Sequence, residues 1–138
     1  RPEGLSHAIT DLSWTGVVNF HDDQTLKVGG QAVEGAIYTS PAFDPTAQDS
    51  RIRSFVAAYS RQNGVAPDVW AAHGYDAMLL IGEACRATAD CTAAEIRDWL
   101  SAVKAWPGVS GSTTFDENGD VRKPVRFMTV RNGAFVPL

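Results

Sequence analysis

Three residues within one stretch of the chain have side chains that could do covalent chemistry. Cys85, His73 and Asp76 are the residue types of a nucleophile, a general base and a group that orients the base. The surrounding apolar pattern predicts a single helix, and His73 and Cys85 stand twelve positions apart along it, beyond hydrogen-bonding reach. The sequence also lacks a phosphate-cradling glycine loop and a Gly-x-Ser-x-Gly turn. We therefore expect that the chain has no catalytic residue and is not an enzyme.

A second group of residues could bind a metal ion. Asp116, Asn118 and Asp120 have the spacing of the first three ligands of a calcium loop, but Phe127 stands where the bidentate glutamate is required. The stretch is better explained as a hairpin turn. The run His21-Asp22-Asp23 would need ligands from elsewhere, and His7, His21 and His73 show no ligand spacing. We expect neither a metal site nor a cofactor.

Composition limits the class of protein. The 138 residues fit one domain, with 44% hydrophobic and 20% charged residues as in an ordinary globular protein. The net charge of -4 comes without a basic stripe, so nucleic acid is not an expected partner. No apolar run approaches the roughly 20 residues that span a bilayer.

Two cysteines, Cys85 and Cys91, flank a short polar connection. They are close enough in sequence for a disulfide to join the end of one helix to the start of the next. We predict this bond, which would place the chain in an oxidising compartment. The alternative is two unrelated cysteines at helix ends.

The first third of the chain predicts short strands and little helix. Gly16–Phe20 is an apolar run that suits a buried strand, and Ala36–Ser40 suits a second strand that stops at Pro41. Between them, Gln24–Gly30 predicts one or two helical turns that end at Gly29-Gly30.

Three helices are predicted in the middle of the chain. The first runs from Ser50 to Gly64, which sits where a left-handed cap would end it. The second covers Val69–Ala84, is capped by Asp68, and is apolar on most sides, so we expect it to be largely buried. The third begins with a capping box over Thr92–Glu95.

The remainder predicts strands. Asn118-Gly119 and Asn132-Gly133 offer the positive backbone angles of tight hairpin turns, so we expect a three-stranded β-meander. Strands early, helices in the middle and strands at the end indicate an α/β or α+β chain, and periodicity does not choose between them.

Three motifs, read in order, carry a resemblance to a known family. They are Val33-Glu34-Gly35-Ala36-Ile37-Tyr38-Thr39-Ser40-Pro41, Trp70-Ala71-Ala72-His73-Gly74-Tyr75-Asp76-Ala77 and the run from Gly111 to Asp120. Over roughly residues 14–138 the chain resembles the carboxyl-terminal part of the type I periplasmic solute-binding proteins, of the leucine/isoleucine/valine-binding type.

The resemblance implies an α/β fold with two Rossmann-like lobes, of which this chain would supply a carboxyl-terminal fragment with three main helices and a terminal β-meander. Residues 1–40 and 108–138 would belong to one lobe, and residues 41–107 would supply elements of the other lobe.

The expected ligand-binding residues lie mainly at strand ends, where open α/β sheets bind ligands. Asn19, Phe20, His21 and Asp22 follow the first predicted strand, and the resemblance implies that this loop meets the solute. Weaker candidates are Tyr38, where the chain would cross between lobes, and Asp68 and Trp70, which begin a helix that approaches the cleft in the family. The loop residues are equally well explained as solvated surface, Asp68 as a helix cap, and Trp70 as core.

The function implied by the resemblance is the binding of a small polar organic solute, an amino acid or a related carboxylate, for delivery to the membrane permease of an ABC-type uptake transporter. This places the chain in the periplasm or outside the cell. The alternatives are an interaction or assembly domain without solute binding, and a ligand-sensing domain of the same fold. An apolar helix at Val69–Ala84 without a sheet to cover would favour a homo-oligomer or pairing with a missing amino-terminal segment.

Overall fold

The structure is a computed structural model that describes residues 13–138, so His7 lies outside the described part of the chain. The elements, in chain order, are β1 (Thr15–Gly16), α1 (Asp23–Gly29), β2 (Ile37–Pro41), α2 (Ser50–Asn63), α3 (Val69–Ala87), α4 (Ala93–Ser101), β3 (Trp106–Gly108), β4 (Gly111–Phe115), β5 (Val121–Arg122), β6 (Val125–Arg131) and β7 (Ala134–Pro137). No helix within residues 13–138 is both long and apolar enough to cross a membrane.

These residues form two compact units. The first contains the described residues up to Ser40 together with Val125–Leu138, and the second is Pro41–Pro124. The expected division into lobes at residue 108 differs from this boundary, because the strands between residues 108 and 124 pack within the second unit. The assignment of the two parts of the chain to lobes stays a prediction.

The first unit is built on a four-stranded sheet in the order β1-β2-β6-β7. Strands β1 and β2 are parallel, and β6 and β7 form an antiparallel hairpin. The amide of Gly35 donates to the carbonyl of Val130, and the amide of Val130 donates to the carbonyl of Ala36, which joins β2 to β6. The core of this unit contains Val33, Ala36 and Val130. Both ends of the described chain therefore contribute to one sheet.

The β6–β7 turn confirms the prediction made from Asn132-Gly133. Both residues have positive φ, at 54° and 70°. The Glu34 carboxylate accepts hydrogen bonds from the amides of both turn residues, with Asn132 N at 3.0 Å. A turn with positive φ at two successive positions favours the Asn-Gly pair, which explains why the sequence located it.

The second unit packs three helices against a three-stranded antiparallel sheet in the order β3-β4-β5. Its core contains Phe43, Phe55, Ala72 and Val109. Three predicted helix ends in this unit are confirmed: Gly64 has φ 73° after α2, the Asp68 carboxylate accepts from the Ala71 amide at α3, and α4 begins with the Thr92–Glu95 capping box. The end predicted for α3 at Ala84 is wrong, since the helix continues to Ala87.

The disulfide prediction is also confirmed. Cys85, in the last turns of α3, is bonded to Cys91, just before α4, with their Cα atoms 4.4 Å apart. The bond joins the end of one helix to the start of the next, and no cysteine is left free in the chain.

Two strand predictions are wrong. The strand expected over Gly16–Phe20 is limited to Thr15–Gly16, because the chain turns into a 3-10 helix over Val18–Phe20 that folds the Phe20 ring back onto the sheet. The meander expected after Gly111 does not continue into β6 and β7. Pro124, which has no amide donor, separates β5 from β6, and β6 pairs instead with β2.

The expectation that α3 is largely buried is wrong for one of its faces. Ala72, Asp76, Leu80 and Ala84 are buried, whereas Trp70, Tyr75, Met78 and Ile81 remain 57%, 41%, 67% and 39% exposed. The described elements cover one side of this apolar helix and leave the other side uncovered.

Candidate functional site

An aromatic cluster in the first unit contains three of the residues expected to face a solute. The Tyr38 hydroxyl lies 2.6 Å from Nδ1 of His21. The His21 ring stacks on Phe135 with centroids 4.2 Å apart, and Phe20 lies 5.3 Å from the Tyr38 ring. Tyr38 is 1% exposed, while His21 is at the surface. The cluster is therefore buried around the Tyr38 ring, and its imidazole faces solvent.

The sheet and the 3-10 turn position these side chains. Parallel pairing places Gly16 of β1 opposite Tyr38 of β2, and the turn that follows β1 returns Phe20 to the same place. A Cβ at Gly16 would lie 3.3 Å from the Cβ of Phe20, so a glycine permits this close return. The β6–β7 hairpin contributes Phe135, which pairs with Val130.

Partial burial sets the protonation of the two polar members of the cluster. It lowers the pKa of His21 below 6.5; the nearby Asp23 carboxylate opposes this change, and Arg126 adds to it. Burial also raises the pKa of Tyr38 to about 12, partly offset by Arg126. Both groups are thus neutral at pH 7. When the Tyr38 hydroxyl donates to Nδ1, the His21 proton is on Nε2, which is then the hydrogen-bond donor that the ring can offer to a ligand.

The other expected site residues have structural surroundings of their own. Asn19 is exposed in the 3-10 turn. Asp22 caps α1, where its carboxylate accepts from the Gln24 amide at 2.7 Å. Asp68 likewise caps α3, and Trp70 lies in the first turn of that helix with 57% of its surface exposed. The structure thus brings together Phe20, His21 and Tyr38, whereas Asp68 and Trp70 belong to the second unit.

Sequence reasoning missed Phe135 as a member of the cluster. It lies about a hundred residues beyond its ring partners, and the alternation of a short terminal strand does not indicate which strand it will face. The apolar residue two positions after the Asn132-Gly133 turn was the available signal, because a hairpin fixes the register of its strands.

The second unit contains a buried polar network around Asp76, which is 1% exposed. Its carboxylate accepts from the amides of Val109 and Ser110, each at 2.8 Å, and from the Ser110 hydroxyl. The Lys123 ammonium lies 3.5 Å from the same carboxylate and donates to the Ser110 hydroxyl. Burial lowers the pKa of Lys123, and the Asp76 charge opposes that shift.

The three residues that could have formed a catalytic group each have another partner. Asp76 is held in this network, Cys85 is in the disulfide, and Nδ1 of His73 lies 2.7 Å from the Val69 carbonyl oxygen, to which it donates. The calcium-like stretch is a hairpin turn, in which one Asp116 carboxylate oxygen accepts from the amides of Asn118 and Asp120. Within residues 13–138, no group of three or more His, Cys, Asp or Glu side chains is arranged to hold a metal ion.

Comparison with known proteins identifies the family. The sequence profile that describes the periplasmic binding protein family matches residues 9–134. The chain belongs to this family, and its fold is the α/β type I periplasmic binding fold that the motifs predicted. The family consists of binding proteins, which agrees with the expectation that the chain is not an enzyme.

Solved structures support the same assignment. A leucine-binding protein from Thermotoga maritima is 27% identical, with a TM-score of 0.75, and the match covers 90% of this chain and 35% of that one. A putative branched-chain amino acid ABC transporter protein from Rhodospirillum rubrum is 34% identical, with a TM-score of 0.74 and coverage of 94% and 38%. An ABC transporter substrate-binding protein from Desulfitobacterium hafniense, in complex with leucine, is 29% identical, with a TM-score of 0.75 and coverage of 94% and 36%.

The chain thus spans a little over a third of these related proteins. No curated protein sequence matches it.

Proposed function

We propose that the chain binds a small polar organic solute, an amino acid or a related carboxylate, as part of a receptor that delivers it to the permease of an ABC-type transporter. The observation that carries the proposal is the hydrogen bond between Tyr38 and His21 within the aromatic cluster. This hydrogen bond orients a neutral imidazole at the surface, next to the buried Tyr38 ring, and binding sites use such oriented polar groups within apolar surroundings to make specific contacts.

The chemistry of the cluster suits an organic solute with a hydrogen-bond acceptor. The donor on Nε2 of His21 can meet a carboxylate or carbonyl oxygen, and the ring of Phe20 offers apolar contact. The Asp22 carboxylate is engaged at the start of α1, so it is a weaker candidate for holding an ammonium group. Membership of the periplasmic binding protein family and likeness to a leucine complex favour an amino acid or a close analogue.

A location in the periplasm or outside the cell follows from the same proposal. The family supports it, and so does the bond between Cys85 and Cys91, since disulfides persist in oxidising compartments.

Calorimetric titration with leucine, isoleucine, valine, phenylalanine and benzoate tests solute binding by this chain. We expect one of them to saturate at one site per chain. Tyr38→Phe keeps the ring and removes the hydroxyl that orients His21, so it should weaken binding about fivefold, the value of one ordinary hydrogen bond. Tyr59→Phe, in the second unit, is the matched control and should not change the affinity. A flat response to every solute would refute binding by this chain alone.

A second candidate function is assembly. The specific observation is the apolar side of α3, where Trp70, Met78 and Ile81 are exposed. We propose that this side is covered in a homo-oligomer or by a further segment of the receptor, because large exposed apolar patches mark interaction sites.

Sedimentation velocity at micromolar concentration tests self-association through α3. A dimer that Met78→Glu dissociates, and that the exposed control Gln62→Glu leaves intact, would support it. A compact monomer in the unsubstituted chain would contradict it. A ligand-sensing role would share the solute site, and it would require a different partner from the permease.

A further inference from the structure

The second unit has a cavity that the proposed solute site does not use. Helices α3 and α4 and strands β4 and β5 line it, and its volume is about 480 Å³. Its walls are mostly apolar, and they include Leu80, Ile81, Leu100, Phe115 and Val121. A cavity of this size and composition is typical of sites for small organic molecules.

One polar group on the wall has no partner. Thr113, in the middle of β4, is 1% exposed, and its hydroxyl makes no hydrogen bond to any residue that the structure describes. Native proteins pair the large majority of buried hydroxyls, so an unpaired one calls for an explanation. Rotation about χ1 exchanges the positions of the hydroxyl and the methyl group, so the hydroxyl can turn toward the cavity that the side chain lines.

The charged groups at the cavity compensate one another. Asp76 and Lys123 both line it, and they are 3.5 Å apart as an ion pair. The Asp76 carboxylate is further held by the amides of Val109 and Ser110. His73 also lines the cavity, with Nδ1 donating to the Val69 carbonyl. Because Lys123 and Asp76 are paired, neither of these two charges is left uncompensated to attract an ion.

We propose that this cavity binds a neutral, mainly apolar small molecule with one hydrogen-bonding oxygen, which pairs with the Thr113 hydroxyl. The apolar walls contact the body of the molecule, and the hydrogen bond to Thr113 determines which end of the molecule lies against β4. This site lies wholly within the second unit, so the proposal stands independently of solute binding by the aromatic cluster.

A pair of probes that differ only in the oxygen tests the proposal. 4-Propylphenol and propylbenzene are titrated into the full chain and followed by amide chemical shifts in two-dimensional NMR. Both should saturate, with the largest shifts along α3 and β4, and the phenol should bind about fivefold more tightly, as one hydrogen bond predicts.

Two substitutions assign the difference to Thr113. Thr113→Val keeps the shape and removes the hydroxyl, so it should abolish the preference for the phenol and leave propylbenzene binding unchanged. Thr113→Ser, which keeps a hydroxyl, should retain the preference. Ser112→Ala, exposed on the same strand, is the control and should change neither affinity.

Thr113→Val also removes an unpaired buried hydroxyl, so we expect it to fold as well as the parent chain. The proposal is overturned if neither probe saturates, if the phenol and propylbenzene bind equally to the parent chain, or if the preference survives in Thr113→Val. It is also overturned if the charged 4-propylbenzoate binds more tightly than the phenol.

Discussion

Removal of the Asp76 carboxylate is predicted to be among the most damaging single changes in the second unit. The carboxylate accepts from two buried amides at 2.8 Å and from the Ser110 hydroxyl, and it compensates the Lys123 charge at 3.5 Å. The side chains of Asp76 and Lys123 are only 2% and 14% exposed, so water replaces little of what is lost. Asp76→Ala leaves the Lys123 ammonium without a counter-charge and two amides without an acceptor, in a place that water reaches poorly.

The expected cost follows from the type of interaction. Removing one partner of a buried ion pair typically costs about 3–5 kcal/mol, because the other charge stays buried without compensation. We expect Asp76→Ala to lower the free energy of unfolding by about 4 kcal/mol, a large share of the roughly 5–15 kcal/mol that stabilises a typical domain. Asp76→Asn keeps one acceptor oxygen but also leaves the Lys123 charge uncompensated, so its cost should be smaller than that of Asp76→Ala by only about 1 kcal/mol, the value of one hydrogen bond.

Urea unfolding followed by far-UV circular dichroism measures this free energy. Asp90→Ala, an exposed aspartate in the connection between α3 and α4, is the matched control and should change it by less than about 0.5 kcal/mol. A double-mutant cycle with Lys123→Met isolates the charge pairing, and the double variant should lose less than the sum of the two single variants. A cost of Asp76→Ala within the range of the control would refute the reasoning.

Four further predictions concern single groups. Burial lowers the pKa of His21 below 6.5, and NMR titration should find it there. The contribution of His21 to the free energy of unfolding should therefore fall as the pH drops below 6.5 and stay constant above that pH, because the unfolded ring binds the proton more tightly. Burial raises the pKa of Tyr38 to about 12, so its contribution to stability is complete below pH 10 and is progressively lost between pH 10 and 12. Urea unfolding should detect this loss in the parent chain and not in Tyr38→Phe. If Asp68 acts only as a cap, Asp68→Ser should keep the stability in thermal unfolding and the solute affinity in calorimetry, because serine is also a good cap. Asp68→Ala should lose about 1 kcal/mol of stability. A fall in solute affinity with Asp68→Ser would instead show that Asp68 contacts the ligand. Replacing Cys85 and Cys91 by serine opens a loop closed over a sequence separation of 6 and should cost about 2 kcal/mol in urea unfolding; two reactive thiols in the unfolded, non-reduced parent chain would refute the bond.

Helix ends were the part of the fold that the sequence predicted best, because each depends on local chemistry. Asp68 caps α3 through one amide, Gly64 ends α2 in a left-handed conformation, and Thr92 and Glu95 complete a capping box. In each case the groups that form the feature lie within a few residues of one another, so the spacing in the sequence determines the geometry.

Strand pairing was predicted less well, because it depends on residues far apart in the chain. β6 could have continued the sheet of β5, and nothing local indicates that Val130 pairs instead beside Gly35 and Ala36. The same limit applied to the candidate site. The loop with Phe20 and His21 could be chosen from its position after a strand, whereas the contribution of Phe135 required the pairing to be known.

The joining of β2 to β6 has a consequence for biosynthesis. Gly35 emerges from the ribosome long before Val130. The edge of β2 that pairs with β6 therefore stays unpaired while the whole second unit is translated. Pro41–Pro124 is a continuous insertion and can acquire its structure during that interval. In nascent chains halted before Val125, we therefore expect residues 41–124 to resist protease and β1 and β2 to be cleaved. We expect β1 and β2 to depend on chaperones until β6 and β7 are synthesised.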